Sequence, residues 1–255
     1  MTLIATHISK FGIVQCSDSN LTAGGKPAGV GKKVFDLPFG LGALSVAGSY
    51  TVSGRDMDAW MADCIDAYGK GPRPTLPGFA EDLRGRLSSE LTDEEAEDLT
   101  LIHIGGYVDA NDRAHPVLIF VNNIVGLKSD GAYIGPLASG CQLSENFWAR
   151  DYQLNNDTRL AMATGGWQSY LNGFPEGRIA YLQLSRNLSA FFAQARSVPG
   201  WRFRAPTSLD ELGAIVGLEF RAMDLMFRVG DYPARFIGGD PQVRLIPPPP
   251  NVVAF

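Results

Sequence analysis

TLIATHISKFGIVQC, residues 2–16, is the first stretch of the chain with a regular pattern. Side chains alternate between two faces along its first half, which is typical of a β-strand. One face has Leu3, Ala5 and His7, and the other has Thr2, Ile4, Thr6 and Ile8. Phe11–Gly12 provides a turn into a second short apolar run that ends at Cys16. The stretch therefore predicts an antiparallel hairpin.

A glycine-rich loop, residues 22–31, leads from this hairpin to a second one. The two strands of the second hairpin are KKVFDL (32–37) and LGALSVAG (41–48), separated by a turn at 38–40. We expect the two hairpins together to form one β-meander over the first fifty residues.

The hydrophobic spacing then changes to three and four residues, which indicates two amphipathic helices. The first covers residues 54–68 and is predicted to start near Ser53. The second follows from Phe79, Leu83 and Leu87 and ends before the acidic run TDEEAED, whose carboxylates we interpret as solvated surface charge.

Strands and helices then recur in the same order. The predicted elements are strands at 99–109 and 115–123, helices over 179–192 and 209–227, and a strand at 236–246. Ser208 and Glu211 form a capping box that fixes the start of the last helix. This segregation favours the α+β class, with helices outside a pair of stacked antiparallel sheets, over an alternating doubly wound fold. We expect one domain over residues 1–255.

Composition excludes several functions. The 255 residues are 45% hydrophobic and 19% charged, with a formal net charge of -5. No basic stripe is available for a phosphate backbone, so we expect no nucleic-acid partner. No apolar run approaches the ~20 residues of a membrane helix, and no leader is recognised, so we expect no membrane partner and a cytoplasmic location. The three cysteines are widely spaced and suit a reducing compartment.

Motifs for common chemistries are also lacking in the sequence. His7, His103 and His115 share no metal-ligand spacing, so no metal is expected. The chain contains neither a GxSxG elbow nor a GxxxxGK[ST] phosphate loop, and its glycine-rich loop precedes a strand. We therefore expect no cofactor.

Thr2 offers a different chemistry. Removal of Met1 would leave a residue that carries both a hydroxyl nucleophile and a free α-amine, whose ordinary pKa is about 7.7 to 8.0. A nearby lysine would favour the neutral amine, and a carboxylate would hold that lysine. Asp18 and Lys33 are the candidates, because the hairpin brings the end of its second strand beside the start of its first.

Several short motifs occur in the order seen in proteasome β-type subunits, including the bacterial proteasome-like peptidase that works with a ring ATPase. They are Thr2, Gly12, Asp18–Ser19, Thr22, Lys32–Lys33–Val34 and Ala47–Gly48. The chain resembles this family over residues 2 to about 65, and 236–246 resembles its final Gly-Gly strand. In between, the resemblance covers element order only.

The resemblance implies an N-terminal nucleophile (Ntn) hydrolase fold, a four-layer α-β-β-α sandwich, and a threonine-type peptidase. By carry-over, Thr2 would attack a peptide carbonyl, Lys33 would lower the pKa of its amine, Asp18 would hold Lys33, and the Gly48 amide would stabilise the oxyanion. The family's pocket also implies four substrate-binding residues, three of them apolar enough to favour hydrophobic side chains before the cut bond: Leu21, Thr22, Val46 and Tyr50.

The resemblance further implies a homo-oligomeric ring, peptide or unfolded-protein substrates and a separate ATPase. Two alternatives stay open: a non-catalytic structural subunit of the same fold, and an Ntn amidohydrolase that acts on a small amide.

The sequence departs from the family pattern at several positions. Asn20 replaces an arginine that often follows Asp-Ser, and Ile237 replaces the serine before the final Gly-Gly. The supporting Ser-Gly and Asp of the family could correspond to Thr164–Gly165 and Asp231. The chain is longer than the compact bacterial forms, with variable insertions expected near 123–160 and 197–206 and a proline-rich tail at 247–255.

Overall fold

The protein, in a computed structural model, has a mixed α+β fold with several antiparallel sheets. The structure describes residues 2–23, 26–129, 132–137, 140–145, 160, 163–195, 198–200, 204–230 and 237–252. Within these ranges the helices are α1 (Met57–Gly69), α2 (Leu76–Glu90), α3 (Asp93–Glu97), α4 (Pro175–Ala195) and α5 (Leu209–Val229).

Fifteen strands lie in the same described ranges. They are β1 (Leu3–Ser9), β2 (Gly12–Ser17), β3 (Asn20–Ala23), β4 (Lys26–Val30), β5 (Val34–Leu37), β6 (Gly42–Ala47), β7 (Thr51–Val52), β8 (Arg55–Asp56), β9 (Leu101–Ala110), β10 (Arg113–Asn122), β11 (Gly126–Leu127), β12 (Tyr133–Ile134), β13 (Gln142–Glu145), β14 (Trp167–Gly173) and β15 (Gln242–Ile246).

Two larger sheets carry most of these strands. One has the order β14-β1-β2-β15 and the other the order β13-β10-β9-β6-β5. Every neighbouring pair within them is antiparallel. The predicted hairpins β1–β2 and β5–β6 are therefore confirmed. The predicted strands at 99–109 and 115–123 correspond to β9 and β10, which pair with each other.

The buried apolar side chains form clusters on both sides of each sheet. The largest joins the five-stranded sheet to α1 and α2 and includes Trp60, Phe79 and Leu83. A second joins the four-stranded sheet to α4 and α5. A third holds residues from both sheets, among them Ile13 and Leu118. Since β1 and β2 are buried along their whole length, the hairpin of residues 2–16 lies in the centre of the packing.

The predicted single meander is wrong, because the chain changes sheets between β2 and β5. The glycine-rich stretch in between is not a simple loop, since β3 and β4 pair with each other there. The expected helix start near Ser53 is also wrong. Ser53 and Gly54 have positive φ angles of 51° and 72° and form the turn between β7 and β8, so α1 begins only after Asp56.

The acidic run 92–98 has a structural role in addition to its charge. The Thr92 side chain accepts a hydrogen bond from the Glu95 N–H, and the Glu95 carboxylate accepts one from the Thr92 N–H, which is a capping box at the start of α3. The predicted cap of α5 is confirmed in part. Ser208 accepts from the Glu211 N–H, whereas the Glu211 carboxylate accepts from the Thr207 N–H.

Candidate active site

The β1–β2 hairpin brings Thr2 and Asp18 to the same end of one sheet. In its register Ile4 lies opposite Ser17, so the residues just outside the paired region are neighbours. The Leu3 backbone N–H donates a hydrogen bond to Asp18 Oδ1 at 3.0 Å. The local alternation of the sequence is therefore enough to bring these two side chains close together.

Lys33 reaches Thr2 and Asp18 from the start of β5, in the other sheet. Its Nζ donates to Thr2 Oγ1 at 2.7 Å, to Asp18 Oδ2 at 3.3 Å and to the Asn20 carbonyl oxygen at 2.5 Å. Lys33 and Asp18 each expose only 2% of their side chains. An ammonium group has three N–H donors, so these three acceptors use its full capacity.

Each member of the buried Lys33–Asp18 pair offsets part of the other's desolvation. Burial raises the pKa of Asp18, and the charge of Lys33 and the amides of Leu3 and Gly238 oppose that shift. Burial likewise lowers the pKa of Lys33, and Asp18 opposes it. Either group alone would tend to become neutral at this depth. The pairing therefore favours a charge beside the Thr2 hydroxyl.

A cleft of about 280 Å³ opens onto Thr2. Thr22 and Gly48 also line it, so three of the residues selected from the sequence share one cavity. Gly48 is exposed and has a φ of 111°, a region in which residues with a side chain are strained. A Cβ at this position would also overlap the Leu99 carbonyl. Only glycine fits there, and it leaves the backbone accessible from the cleft.

The other three predicted substrate-binding residues do not line this cleft. Val46 is buried in the apolar cluster between the five-stranded sheet and the first two helices. Leu21 is half-buried on β3, and Tyr50 is half-buried with its hydroxyl donating to the Lys32 carbonyl at 3.3 Å.

Tyr133 lines the cleft and was not selected from the sequence. Its hydroxyl donates to Asn172 Oδ1 at 2.9 Å and accepts from the Gly173 N–H at 3.2 Å. The Asn172 Nδ2 contacts His103 Nε2 at 2.9 Å, and His103 Nδ1 contacts Thr6 Oγ1 at 2.9 Å. No local pattern marks Tyr133, because its partners come from strands that are distant in sequence.

The positions that depart from the family pattern have distinct surroundings. Ile237 is 1% exposed and packs in the apolar cluster between the four-stranded sheet and the last two helices. The next residue, Gly238, accepts hydrogen bonds from the Ser19 and Asn20 N–H groups at 3.2 and 2.9 Å. The final Gly-Gly segment therefore contacts the chain directly after Asp18.

The proposed equivalents of the supporting residues lie elsewhere. Because β14 runs antiparallel to β1, Gly173 lies opposite Leu3, whereas Trp167 lies opposite Ser9 at the far end. Thr164 and Gly165 precede that far end. Asp231 lies outside the described residues.

Within the described ranges, no group of three or more His, Cys, Asp or Glu side chains could hold a metal ion. None of the described helices combines the length and the apolar character needed to cross a membrane. No protein-family model matches the chain, and no curated protein sequence matches it either.

The arrangement suits nucleophilic chemistry at Thr2. The Lys33 ammonium donates to Oγ, so it stabilises negative charge that develops on this oxygen and leaves the hydroxyl proton free to be removed. The Gly48 backbone is accessible in the same cleft. A nucleophile and a glycine backbone of positive φ thus line one cavity, and a buried positive charge contacts the nucleophile.

Proposed function

We propose that the protein is an Ntn hydrolase that uses Thr2, after removal of Met1, to hydrolyse peptide bonds. The observation that carries this proposal is the contact of Lys33 Nζ with Thr2 Oγ1 at 2.7 Å and with Asp18 Oδ2 at 3.3 Å, where Thr2 itself lines a cleft. The resemblance to proteasome β-type subunits supports the same assignment.

We assign the α+β architecture to the four-layer α-β-β-α sandwich of these hydrolases. Support comes from the apolar clusters, which place α1 and α2 against the five-stranded sheet and α4 and α5 against the four-stranded sheet. A further cluster has members from both sheets. Such a core is what two stacked sheets with outer helices require.

In the proposed reaction Thr2 Oγ attacks the carbonyl carbon, and its proton passes to the α-amine of the same residue. The carbonyl electron pair moves onto oxygen, which accepts a hydrogen bond from the Gly48 N–H. The tetrahedral adduct then expels the leaving amine, which takes the proton from the α-amine. An ester of Thr2 remains. Water attacks this ester with the α-amine as base, and Oγ leaves with that proton.

Lys33 and Gly48 supply electrostatic stabilisation in this scheme. The Lys33 charge favours the neutral α-amine and stabilises developing charge on Oγ. A single oxyanion donor is worth about 3 to 4 kcal/mol in other hydrolases. A preference for hydrophobic side chains before the cut bond rests on the family resemblance alone, because Leu21, Val46 and Tyr50 do not line the Thr2 cleft. Thr22 does line it, and we propose that it contacts the substrate.

We also propose that copies of the chain associate into a ring, act on peptides or unfolded proteins in the cytoplasm, and work with a separate ATPase. Apolar side chains that α4 and α5 leave exposed support self-association, among them Ile179, Phe191, Leu225 and Val229. Native mass spectrometry measures the number of chains.

Two alternatives are each favoured by one observation. Ile237, buried where the family has a serine, favours a non-catalytic subunit of the same fold. The small volume of the cleft, about 280 Å³, favours hydrolysis of a small amide. Turnover of fluorogenic peptides and of small acyl amides, measured on one preparation, distinguishes the three functions. A peptidase cleaves the peptides, an amidohydrolase cleaves only the small amides, and a non-catalytic subunit cleaves neither.

The deciding experiment is intact mass of the purified protein followed by turnover of hydrophobic fluorogenic peptides. We expect Met1 to be absent and Thr2→Ala to lower turnover at least ~10³-fold. Thr164→Ala, at an exposed position whose hydroxyl binds the Leu160 carbonyl, is the control and should retain full activity. Retained Met1, or unchanged turnover in Thr2→Ala, would contradict the proposal.

A further inference from the structure

The side chain of Gln242 binds three backbone groups around Lys33. Its Oε1 accepts from the Lys33 N–H at 2.7 Å and from the Val34 N–H at 3.0 Å. Its Nε2 donates to the Gly31 carbonyl oxygen at 2.6 Å. The side-chain amide of Gln242 thus makes hydrogen bonds to the backbone of the Lys33 segment, much as a neighbouring β-strand would.

The residue that pairs with Gln242 on the neighbouring strand adds to the significance of this contact. In the pairing of β15 with β2, Gln242 lies opposite Ser17, the residue before Asp18. The backbone of Gln242 is therefore anchored beside Asp18 in the four-stranded sheet, while its side chain holds the Lys33 backbone at the edge of the five-stranded sheet.

We propose that Gln242 is a positioning residue that fixes Lys33 relative to Asp18 and Thr2, an inference that rests on the proposed function. The chain between Asp18 and Lys33 includes the irregular β3–β4 hairpin, which has a register shift between Leu21 and Thr22. A hairpin of this kind does not by itself set a distance to within an ångström. The Gln242 side chain spans the gap by a shorter route.

Precise placement matters because Lys33 Nζ must meet three acceptors at once. Displacement of a catalytic group by about 1 Å can cost ~10²-fold in rate. The Gln242 side-chain oxygen accepts from the N–H groups of both Lys33 and Val34, at the start of β5, the edge strand of its sheet. Without Gln242 these two donors would lose their acceptor, and the Lys33 backbone would keep the hydrogen bond that its carbonyl accepts from the Val46 N–H at 2.9 Å. The lysine would then be held less firmly relative to β15.

Arg244 provides a matched control on the same two strands. Its Nε contacts Asp36 Oδ1 at 2.5 Å, so it also joins β15 to β5, two residues further along. This ion pair is exposed and has no contact with Lys33. If Gln242 only helped to hold the two sheet edges together, loss of Arg244 would have a comparable effect on turnover.

The test compares Gln242→Met, Gln242→Glu and Arg244→Met in the full chain. We expect Gln242→Met to lower kcat about 10- to 100-fold with KM changed less than about threefold, because the nucleophile is affected and the cleft is not. Gln242→Glu keeps an acceptor for the two N–H groups and should recover part of kcat. Arg244→Met should retain the wild-type kcat.

A second measurement does not depend on activity. NMR of protein labelled at the lysine side chains follows the Lys33 Nζ signal, which is assigned by its disappearance in Lys33→Met. We expect the pKa of Lys33 to rise toward its ordinary value in Gln242→Met, because a loosened side chain regains solvent, and to stay unchanged in Arg244→Met.

The outcomes separate this inference from the proposed function. If turnover depends on Thr2, but the kcat of Gln242→Met equals that of the wild type or is no lower than that of Arg244→Met, the positioning role is wrong and the proposed function stands. If the wild type shows no turnover, a Lys33 signal that shifts only in Gln242→Met still supports the role, and an unchanged signal overturns it.

Discussion

Two buried polar clusters lie along strand β1, and they differ in the interactions that compensate for the burial of their ionisable groups. The nucleophile cluster, Thr2, Asp18 and Lys33, contains an ion pair and reaches a cleft through Thr2. The histidine cluster consists of His7, Ser169, Tyr181 and Glu219, which are joined by hydrogen bonds and form no ion pair with one another. His7 Nδ1 contacts Ser169 Oγ at 2.8 Å, His7 Nε2 contacts the Tyr181 hydroxyl at 3.2 Å, and that hydroxyl donates to Glu219.

Burial shifts pKa values in both clusters, but an opposite charge opposes the shift in only one of them. Burial lowers the pKa of His7 to about 3 and raises that of Glu219, and no charged group opposes either shift. In the nucleophile cluster the opposite charge of the partner opposes burial at both residues. A shifted pKa therefore does not by itself mark an active site. A charge kept beside a nucleophile in a cleft is the stronger indication.

Removal of the charge should have the largest effect. We expect Lys33→Met to lower turnover at least ~10³-fold and to cost about 3 to 5 kcal/mol of unfolding free energy, because Asp18 is left as an unpaired buried charge. Peptide assays and urea denaturation at pH 7 measure the two quantities.

The double variant Asp18→Asn/Lys33→Met separates the two effects. It should recover most of the unfolding free energy but none of the turnover, because the buried charge is gone while the ammonium is still missing. Recovery of turnover in the double variant would show that Lys33 serves stability alone.

The histidine cluster should affect the pH dependence of stability. With a folded pKa of about 3, His7 binds its proton less readily in the folded state than in the unfolded state, where the pKa is near 6.5. Its stabilising contribution is complete above pH 6.5 and is lost as the pH falls toward 3, with a slope of up to about 1.4 kcal/mol per pH unit.

The difference between wild type and His7→Gln isolates this contribution. Urea denaturation at pH 7.5, 6, 5 and 4 should show a steeper loss of stability on acidification in the wild type. Ser169, Tyr181 and Glu219 are present in both proteins, so their own titration largely cancels. Parallel curves for the two proteins would argue against a buried neutral His7.

Tyr181 should matter for stability and not for turnover. Tyr181→Phe removes the hydrogen bond to buried Glu219 and should cost about 1 to 3 kcal/mol of unfolding free energy. Turnover should stay within about twofold of wild type, because the cluster does not line the Thr2 cleft. Tyr133→Phe is the matched comparison: it removes a hydroxyl from that cleft and should change KM or kcat.

The same two clusters show what could be predicted from the sequence. Alternation over residues 2–16 predicted the hairpin and so the proximity of Thr2 and Asp18, which depends only on local pairing. Lys33 was selected by local reasoning and by resemblance, and its contact crosses from one sheet to the other. Tyr133 and Gln242 were not predicted, because their partners lie up to 211 positions away and have no periodic pattern.

The strand pairings of the outer strands were missed for a similar reason. The side chains of β14 are half-buried over most of its length, so its sequence lacks a clear alternation, although it pairs with β1 over seven residues. The switch of the chain between sheets after β2 was also missed, since hydrophobic spacing does not encode which sheet a strand joins.

The Glu95 carboxylate is held by backbone N–H groups, unlike Asp18, which is held by an ion pair, and Glu219, which is held by a hydroxyl. Its substitution should have the smallest effect of those considered. Burial alone would raise its pKa, but the amides of Thr92, Gly54 and Ser53 outweigh burial and lower the pKa to about 2. The corresponding hydrogen bonds are 3.0, 2.9 and 2.9 Å long. Since the folded pKa lies below the ordinary value, the stabilisation is present above about pH 4.5 and is lost as the pH falls toward 2.

We therefore expect Glu95→Gln to cost about 1 kcal/mol at pH 7, after allowance for partial solvent exposure, and progressively less below pH 4.5. Added salt should have little effect on this difference, because the carboxylate is held by backbone dipoles and not by an opposite charge. Glu94→Gln, one residue earlier on the exposed side of α3, is the control and should leave stability unchanged at pH 7 and below pH 4.5. If 0.5 M salt abolished the Glu95 effect, the carboxylate would instead be held by an exposed ion pair, which salt screens.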